Sequence, residues 1–242
     1  MRASVRKAFD SMAIEYDELI RLWVPWYDEL TKVTANNLTR KIDSPRVLDL
    51  GGGTGNLSLA VLERYPQAEI HVVDISSQMV DLCKHKLAEK SDRIYCYAKN
   101  FLELSYDSSF FDFIVSQMTI HHLDTQGKKQ LFSRVHNWLK PGGVFSYSDI
   151  FCGVAPEIND LLISQWQGSS FELGTTQEQW NFFMEHDRQY DKPISLITAF
   201  DWLLQAGFNC FDLTWRQSLW SSIVAVKTEV EVLSTNGNYG IN

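Results

Sequence analysis

Short apolar runs alternate with amphipathic stretches through the middle of the chain. Val47-Leu48-Asp49-Leu50 reads as a buried strand, and Asn56 to Tyr65 as the helix after it. Ile70 to Val73 predicts a second strand, followed by a helix from about Ser77 to Lys90. A third strand is expected over Ile94 to Ala98 and a fourth over Phe111 to Ser116. Gly127 to Leu139 has helical spacing, and Lys140-Pro141-Gly142-Gly143 reads as the turn that ends it, before a fifth strand from Val144 to Asp149. Strands alternating with helices argue for a parallel sheet covered on both faces. The end of the chain breaks that rhythm. Phe200 to Ala206 predicts a helix closed by Gly207, and then Asn209 to Arg216 and Ser221 to Lys227 read as strands about four residues apart. Such a connection permits a hairpin but not a parallel crossover, so the terminal strand is expected to be antiparallel.

Two segments fall outside the sheet pattern. Residues 1–40 read as a helical N-terminal cap carrying Phe9, Tyr16, Trp23, Trp26 and Tyr27. Residues 152–195 form a long insertion with Trp166, Phe171, Trp180, Phe182, Phe183 and Tyr190. Both are expected to fold over the carboxyl edge of the sheet, where open α/β sheets bind ligands. The chain thus divides into the cap (1–40), a cofactor-binding core (41–151), a lid or substrate insertion (152–195), a C-terminal helix and hairpin (196–230) and a polar, glycine-containing, flexible tail (231–242).

At 45% hydrophobic residues the chain has ample material for a core, which excludes disorder as its main state. Its net charge of −8 does not suit a general nucleic-acid binder, although a local basic patch is compatible with it. The four cysteines (Cys83, Cys96, Cys152, Cys210) form no C-x-x-C pair, so free thiols are expected rather than a zinc site or a disulfide scaffold. Neither a signal peptide nor an apolar run of about 18 residues is present, and a cytoplasmic protein without a membrane span is expected. Monomer and homodimer both remain open.

The residues that bear chemistry begin at the first strand, which runs into Gly51-Gly52-Gly53-Thr54-Gly55. A strand, a glycine turn and a helix in succession let a ligand approach the backbone closely. The dinucleotide pattern G-x-G-x-x-G fails, because Asn56 stands where its third glycine belongs. The pattern D-x-G-x-G-x-G fits throughout, as Asp49, Gly51, Gly53 and Gly55. On this motif the chain resembles the class I S-adenosylmethionine-dependent methyltransferases over roughly residues 40–150, and the terminal hairpin extends the likeness to about 227. The resemblance implies a Rossmann-like α/β fold: a seven-stranded, mostly parallel sheet with an antiparallel terminal strand and helices on both faces. It implies S-adenosyl-L-methionine as cofactor, with Asp49 near the amino end of its methionine part and the three glycines beneath it.

Asp74 closes the second strand and is placed to accept hydrogen bonds from both ribose hydroxyls, as in dehydrogenases too. Ile75 and Met79 are candidates for a wall of the adenine slot, or simply core. The likeness assigns the adenine amino group to Asn100, where aspartate is common, with Phe101 near the base. Gln117 and Met118 follow the fourth strand, at the edge that lies beside the transferable methyl group in this family. His121 is a candidate base, since an ordinary imidazole titrates near neutrality, and a structural role is its alternative. No cysteine, carboxylate or third histidine accompanies His121 and His122 in a motif, so no metal site is expected. Tyr16, in Glu15-Tyr16-Asp17, resembles the aromatic-acidic pair that helps close the cofactor site in small methyltransferases. Trp26, Trp180, Phe183 and His121 are candidate substrate contacts; the cap aromatics form either a cage over an apolar acceptor or a packing seam.

The lead-in and the closing Ala206-Gly207-Phe208 also look like the branch containing the bacterial tRNA wobble-uridine carboxymethyltransferases. Trp202 stands where those enzymes carry the arginine for a carboxylated cofactor, so the plain cofactor is expected here. The expected activity is methyl transfer, by in-line displacement, to a small and partly apolar or aromatic acceptor. One alternative is an RNA methyltransferase using Lys128, Lys129, Arg134 and Lys140 as a basic track. Others are a nicotinamide oxidoreductase or a non-catalytic cofactor-binding protein.

Overall fold

The chain's computed structural model describes residues 3–90 and 92–228; the expected tail, 231–242, lies outside them. Strands form where apolar runs are unbroken: β1 (Arg46–Leu50), β2 (Glu69–Asp74), β3 (Ile94–Ala98), β4 (Phe111–Gln117) and β5 (Leu139–Cys152). Later come the two-residue β6 (Ile194–Ser195) and the hairpin β7 (Cys210–Gln217) and β8 (Trp220–Val226). The order across the sheet is β3-β2-β1-β4-β5-β8-β7, with β6 beside β5. Among the described residues there are therefore eight strands rather than seven, because the returning insertion lays Ile194 and Ser195 along Phe151 and Cys152. Pairs from β3 to β5 are parallel, whereas β8 runs antiparallel to both β5 and β7. The last strand is thus inserted inside the sheet, leaving β7 at its edge.

In order along the chain, the helices are α1 (Ala3–Met12), α2 (Tyr16–Trp23), α3 (Tyr27–Asn36), α4 (Asn56–Arg64), α5 (Ser77–Leu87), α6 (Thr125–Trp138), α7 (Pro156–Glu172), α8 (Gln177–Tyr190) and α9 (Leu196–Gln205). The two-residue period of a strand sends alternate side chains to opposite layers. Leu48 and Leu50 pack with Leu131, Phe132 and Val135 of α6 and Leu203 of α9. Val47 faces the other layer, with Ala35 of α3, Val61 of α4 and Leu87 of α5. A third core joins the cap to the insertion: Ile20, Trp23 and Leu30 meet Trp166, Trp180 and Phe183 above Met118 and Ile150. Trp166 is 1% exposed and donates its indole N–H to the Trp23 carbonyl at 2.6 Å. An aromatic ring buried to that degree is worth at most about 4–6 kcal/mol by area, so this seam is a true core.

Several boundaries differ from expectation for local reasons. Lys140-Pro141-Gly142-Gly143 is not a separate turn: α6 stops at Trp138 and β5 begins at once, its register shifting opposite Phe111 and Phe113. Gly142 N–H donates to the Lys227 carbonyl at 2.6 Å, and Lys227 N–H to that of Gly143 at 2.9 Å, which ties the glycines to the end of β8. Helix α9 starts at Leu196 rather than Phe200 because the Ser195 hydroxyl caps it, accepting from the Thr198 N–H at 3.2 Å. Helix α5 ends at Leu87, and only Ser218 and Leu219 separate the hairpin strands.

Candidate active site

The strand order reverses between β1 and β4, and their carboxyl ends open a crevice at that switch point. The glycine loop shapes its floor. Gly51 has φ +71°, and a Cβ there would lie 2.1 Å from the Thr119 side chain, so no other residue fits. Gly53 has φ +52°, and nothing within 4 Å would meet its Cβ, which would project into open space. Its N–H donates to Asp74 Oδ2 at 3.0 Å, while Asp74 Oδ1 accepts from Ser76 N–H at 2.8 Å. Gly55 is turned away: its Cβ would meet Cys83 Sγ at 2.8 Å, so its role is to let α4 pack against α5.

A cavity of about 410 Å³ stands over this loop, lined by eight of the predicted cofactor residues: Tyr16, Gly51, Gly53, Asp74, Ile75, Met79, Phe101 and Gln117. Phe9, Met118, Thr119 and His122 line it as well. Asp49 lies one layer below, in an adjoining cavity beneath Gly51 and Gly53. Its Oδ2 accepts from the Ser58 hydroxyl at 2.6 Å, but its buried Oδ1 has no partner. Burial pushes this carboxyl up to about 7 against the Ser58 hydrogen bond, and burial likewise raises Asp74. Asn100 is not brought to the cavity. It caps the short helical turn 101–103, its Oδ1 accepting from Leu102 N–H at 3.1 Å and its Nδ2 donating to Glu103 at 3.2 Å.

The Asn56 that spoils the dinucleotide pattern has a different task. Its amide donates to Asp17 at 2.9 Å and to the Tyr27 hydroxyl at 3.0 Å. Asp17 also accepts from Thr54 at 2.6 Å and from Lys86 at 2.6 Å. Burial works to raise the Asp17 carboxyl, but the hydrogen bonds from Lys86, Thr54 and Asn56 hold it below its ordinary value. Ser76 adds a second tie, donating to Asp10 at 2.5 Å. Cap and glycine loop are thus fastened together through polar side chains, which spacing within either segment could not show.

A second cavity, of about 370 Å³, adjoins the first. Phe9, Tyr16, Met118 and His122 line both, and Met118 at this boundary is held at φ +53°, a backbone state costing about 1–3 kcal/mol in a residue with a side chain. Ile20, Trp23, Phe183 and Trp220 give it apolar walls, and His121, His186 and Asp191 its polar side. Of the proposed substrate contacts, Phe183 and His121 reach it. Trp180 is buried in the α7–α8 seam, with its ring 4.8 Å from that of Trp166, and Trp26 packs on the outside of the third core.

His121 is buried and its Nδ1 bonds Asp149, whose other oxygen accepts the His121 N–H at 2.9 Å. Its Nε2 lies 3.5 Å from Asp191 Oδ1, and His122 Nδ1 lies 2.9 Å from the same oxygen. Burial alone would depress His121, but Asp149 and Asp191 overcome it and raise the imidazole; burial and the neighbouring His121 depress His122. The expectation that no carboxylate or third histidine converges here is therefore corrected: α8 and the segment after it bring Asp191 and His186 to the pair. An acidic residue ending the fifth strand was the one available sign of Asp149. Nothing local marked Asp191.

Of the four residues of the basic track, Lys128 is withdrawn from the surface and the other three are partly exposed with partners inside the protein. Lys128 is 2% exposed and donates to the carbonyls of His121, Leu123 and Lys192; burial lowers its amine to about 8. Arg134 donates to the Leu102 carbonyl, Lys140 pairs with Asp112 at 2.8 Å, and Lys129 sits over the Trp202 ring.

The crevice suits a nucleoside carrying a cationic tail: Asp49 offers an unpaired buried carboxylate oxygen, and Gly53 leaves the space a Cβ would fill. A family model described as a methyltransferase domain matches residues 47–143. Among curated relatives, a malonyl-[acyl-carrier protein] O-methyltransferase of Halorhodospira halophila is 31% identical over 223 residues, covering 89% of this chain and 67% of the relative. The chain belongs to the class I S-adenosylmethionine-dependent methyltransferases. A carboxy-S-adenosyl-L-methionine synthase of Nautilia profundicola is 20% identical, covering 90% of this chain and 93% of the relative. A solved protein of Methanococcus maripaludis shares the fold with a TM-score of 0.63 at 20% identity, over 93% of this chain and 95% of that one. The chain spans only 50% of Haemonchus contortus phosphoethanolamine N-methyltransferase 2, solved with S-adenosyl-L-methionine (TM-score 0.58, 17% identity, 79% of this chain). As a class I methyltransferase the protein is an enzyme that uses S-adenosyl-L-methionine. No described helix is long and apolar enough to cross a membrane.

Proposed function

We propose that this methyltransferase acts on a small, partly apolar acceptor held in the second cavity. The observation that carries the proposal is the shared wall: two adjoining cavities meet at Tyr16 and Met118, one built on the glycine loop, the other lined by aromatic rings. The lining of the second sets aromatic rings beside a few polar groups, as sites for small molecules do. Lys128, one of the four residues of the basic track, is buried and bonded within the protein, which disfavours RNA.

Asp49, Gly51, Gly53, Asp74, Ile75, Met79, Phe101, Gln117 and Tyr16 would hold the cofactor. Bound there, it supplies a methyl group on a sulfonium that needs alignment and exclusion of water more than side-chain chemistry. Phe9 and Tyr16 close the crevice from the cap, and Phe183 and Trp23 press on the acceptor. His121 is the proposed catalytic residue. Held by Asp149 at Nδ1, it would present Nε2 to an oxygen or nitrogen of the acceptor.

The test is radiolabel transfer from methyl-tritiated cofactor to small-molecule extracts and to bulk tRNA. Label in an extractable product under about 500 Da, lost in Phe183→Arg, is the expected result. Label in tRNA, or in neither fraction, would overturn it.

A further inference from the structure

The floor of the second cavity holds donor atoms that hydrogen bonding does not use. Nε2 of His122 is buried without a partner, while its Nδ1 faces Oδ1 of Asp191 within the cluster. A buried polar atom left so costs about 1–3 kcal/mol unless something satisfies it. His121 Nε2 and His122 Nδ1 lie 3.5 and 2.9 Å from Asp191 Oδ1. Two ligands each about 2.1 Å from one ion stand roughly 3.0 Å apart at a right angle and roughly 3.4 Å apart at a tetrahedral one. Both distances to Asp191 Oδ1 thus fit ligands sharing an ion, and the ligand atoms of all three residues lie within 4.8 Å of one another.

The support around these atoms has the same character. Asp149 takes Nδ1 of His121, which leaves Nε2 as the lone-pair donor, the carboxylate–histidine arrangement that orients imidazole ligands. Lys128 bridges the His121 and Lys192 carbonyls, and Lys192 N–H donates to the His121 carbonyl at 2.9 Å, so the two ligand-bearing segments are clamped before any ion arrives. Two imidazoles and one carboxylate favour first-row transition ions over magnesium or calcium.

We propose that His121, His122 and Asp191 bind one divalent transition-metal ion whose remaining positions face the acceptor cavity. Its role there, to hold a heteroatom of the acceptor, rests on the proposed function; the binding itself does not. With the ion present His121 is neutral and acts through it.

The experiment is titration of the chelator-treated full chain with Co²⁺ by visible absorption and with Zn²⁺ by calorimetry, with S-adenosylmethionine affinity measured on the same samples. One ion per chain is expected, with a cobalt spectrum free of thiolate charge-transfer bands. Asp191→Asn and His122→Gln should each weaken binding at least tenfold, and Asp149→Asn about ten- to a hundredfold through His121 orientation. Absence of uptake by the wild type overturns the proposal whatever the variants do. So does a thiolate band, which would place the ion at Cys83 and Cys96, or uptake unchanged in both ligand variants. Cofactor binding without metal binding overturns this inference and leaves the proposed function standing; metal binding without cofactor binding supports it and removes that function.

Discussion

Removal of the Asp74 carboxylate gives the sharpest test of the crevice. Both its oxygens accept backbone N–H groups, from Gly53 and Ser76, and lone pairs remain on each for the two ribose hydroxyls. A hydrogen bond to a charged acceptor contributes about 1.5–3 kcal/mol, so two hydroxyls are worth about 3–6 kcal/mol. At about 1.4 kcal/mol per decade, Asp74→Ala should weaken S-adenosylmethionine about 10²- to 10⁴-fold. The same change strands two backbone donors at about 1–3 kcal/mol each, so the melting temperature falls too. A thermodynamic cycle separates the effects. Calorimetry compares S-adenosylhomocysteine with its 2′-deoxy analogue in the wild type and in Asp74→Asn. Distortion of the loop would weaken both ligands alike and cancel, whereas a direct bond appears as a coupling energy. A coupling under about 0.5 kcal/mol, or affinity within threefold of wild type in folded Asp74→Ala, would refute the assignment.

Asp49 links binding to pH. Its folded pKa of about 7 lies above the unfolded value of about 3.9, so its contribution to stability is complete below about pH 4 and lost as pH rises through 7. The melting temperature of the cofactor-free protein should fall across that window and fall less in Asp49→Asn. Because a cofactor ammonium would favour the carboxylate, binding near pH 6 should release close to one proton, read from calorimetry in buffers of different ionisation heat; zero release counts against the contact. Gly53→Val should reduce cofactor affinity more than a hundredfold while lowering stability by only about 1–3 kcal/mol, since its side chain enters open space; isothermal titration beside thermal melting checks the split. Asp17→Ala frees Thr54, Asn56 and Lys86 together. Limited proteolysis should then cut within residues 1–40 several-fold faster, an effect that added cofactor suppresses.

The sheet was legible because buried parallel strands read as unbroken apolar runs, and the Gly51 and Gly53 turns because both need a positive φ and Thr119 leaves no room for a Cβ at Gly51. Lys140-Pro141-Gly142-Gly143 misled, since its glycines serve pairing with Lys227 at the far end of the chain. Asn100 misled for a local reason: a side chain that accepts from the backbone two residues on is also a common cap. The His121 cluster shows what one-dimensional spacing cannot carry. Asp149 lies 28 residues from His121, and Asp191 arrives from the segment after α8, so only the fold makes them neighbours. Trp166 and Trp180 of the insertion pack together, while Trp23 of the cap and Phe183 of the insertion line the second cavity.

The placing of β8 between β5 and β7 also has a consequence during synthesis. Strand β5 ends at Cys152, but the partner that covers its outer side ends at Val226, the last strand to leave the ribosome. At about 5–20 residues per second, translation leaves that edge bare for roughly 4–15 s. Until then the nascent chain presents a long apolar strand to any neighbour able to pair with it. A stop codon placed before Trp220 should therefore yield inclusion bodies rather than a trimmed enzyme.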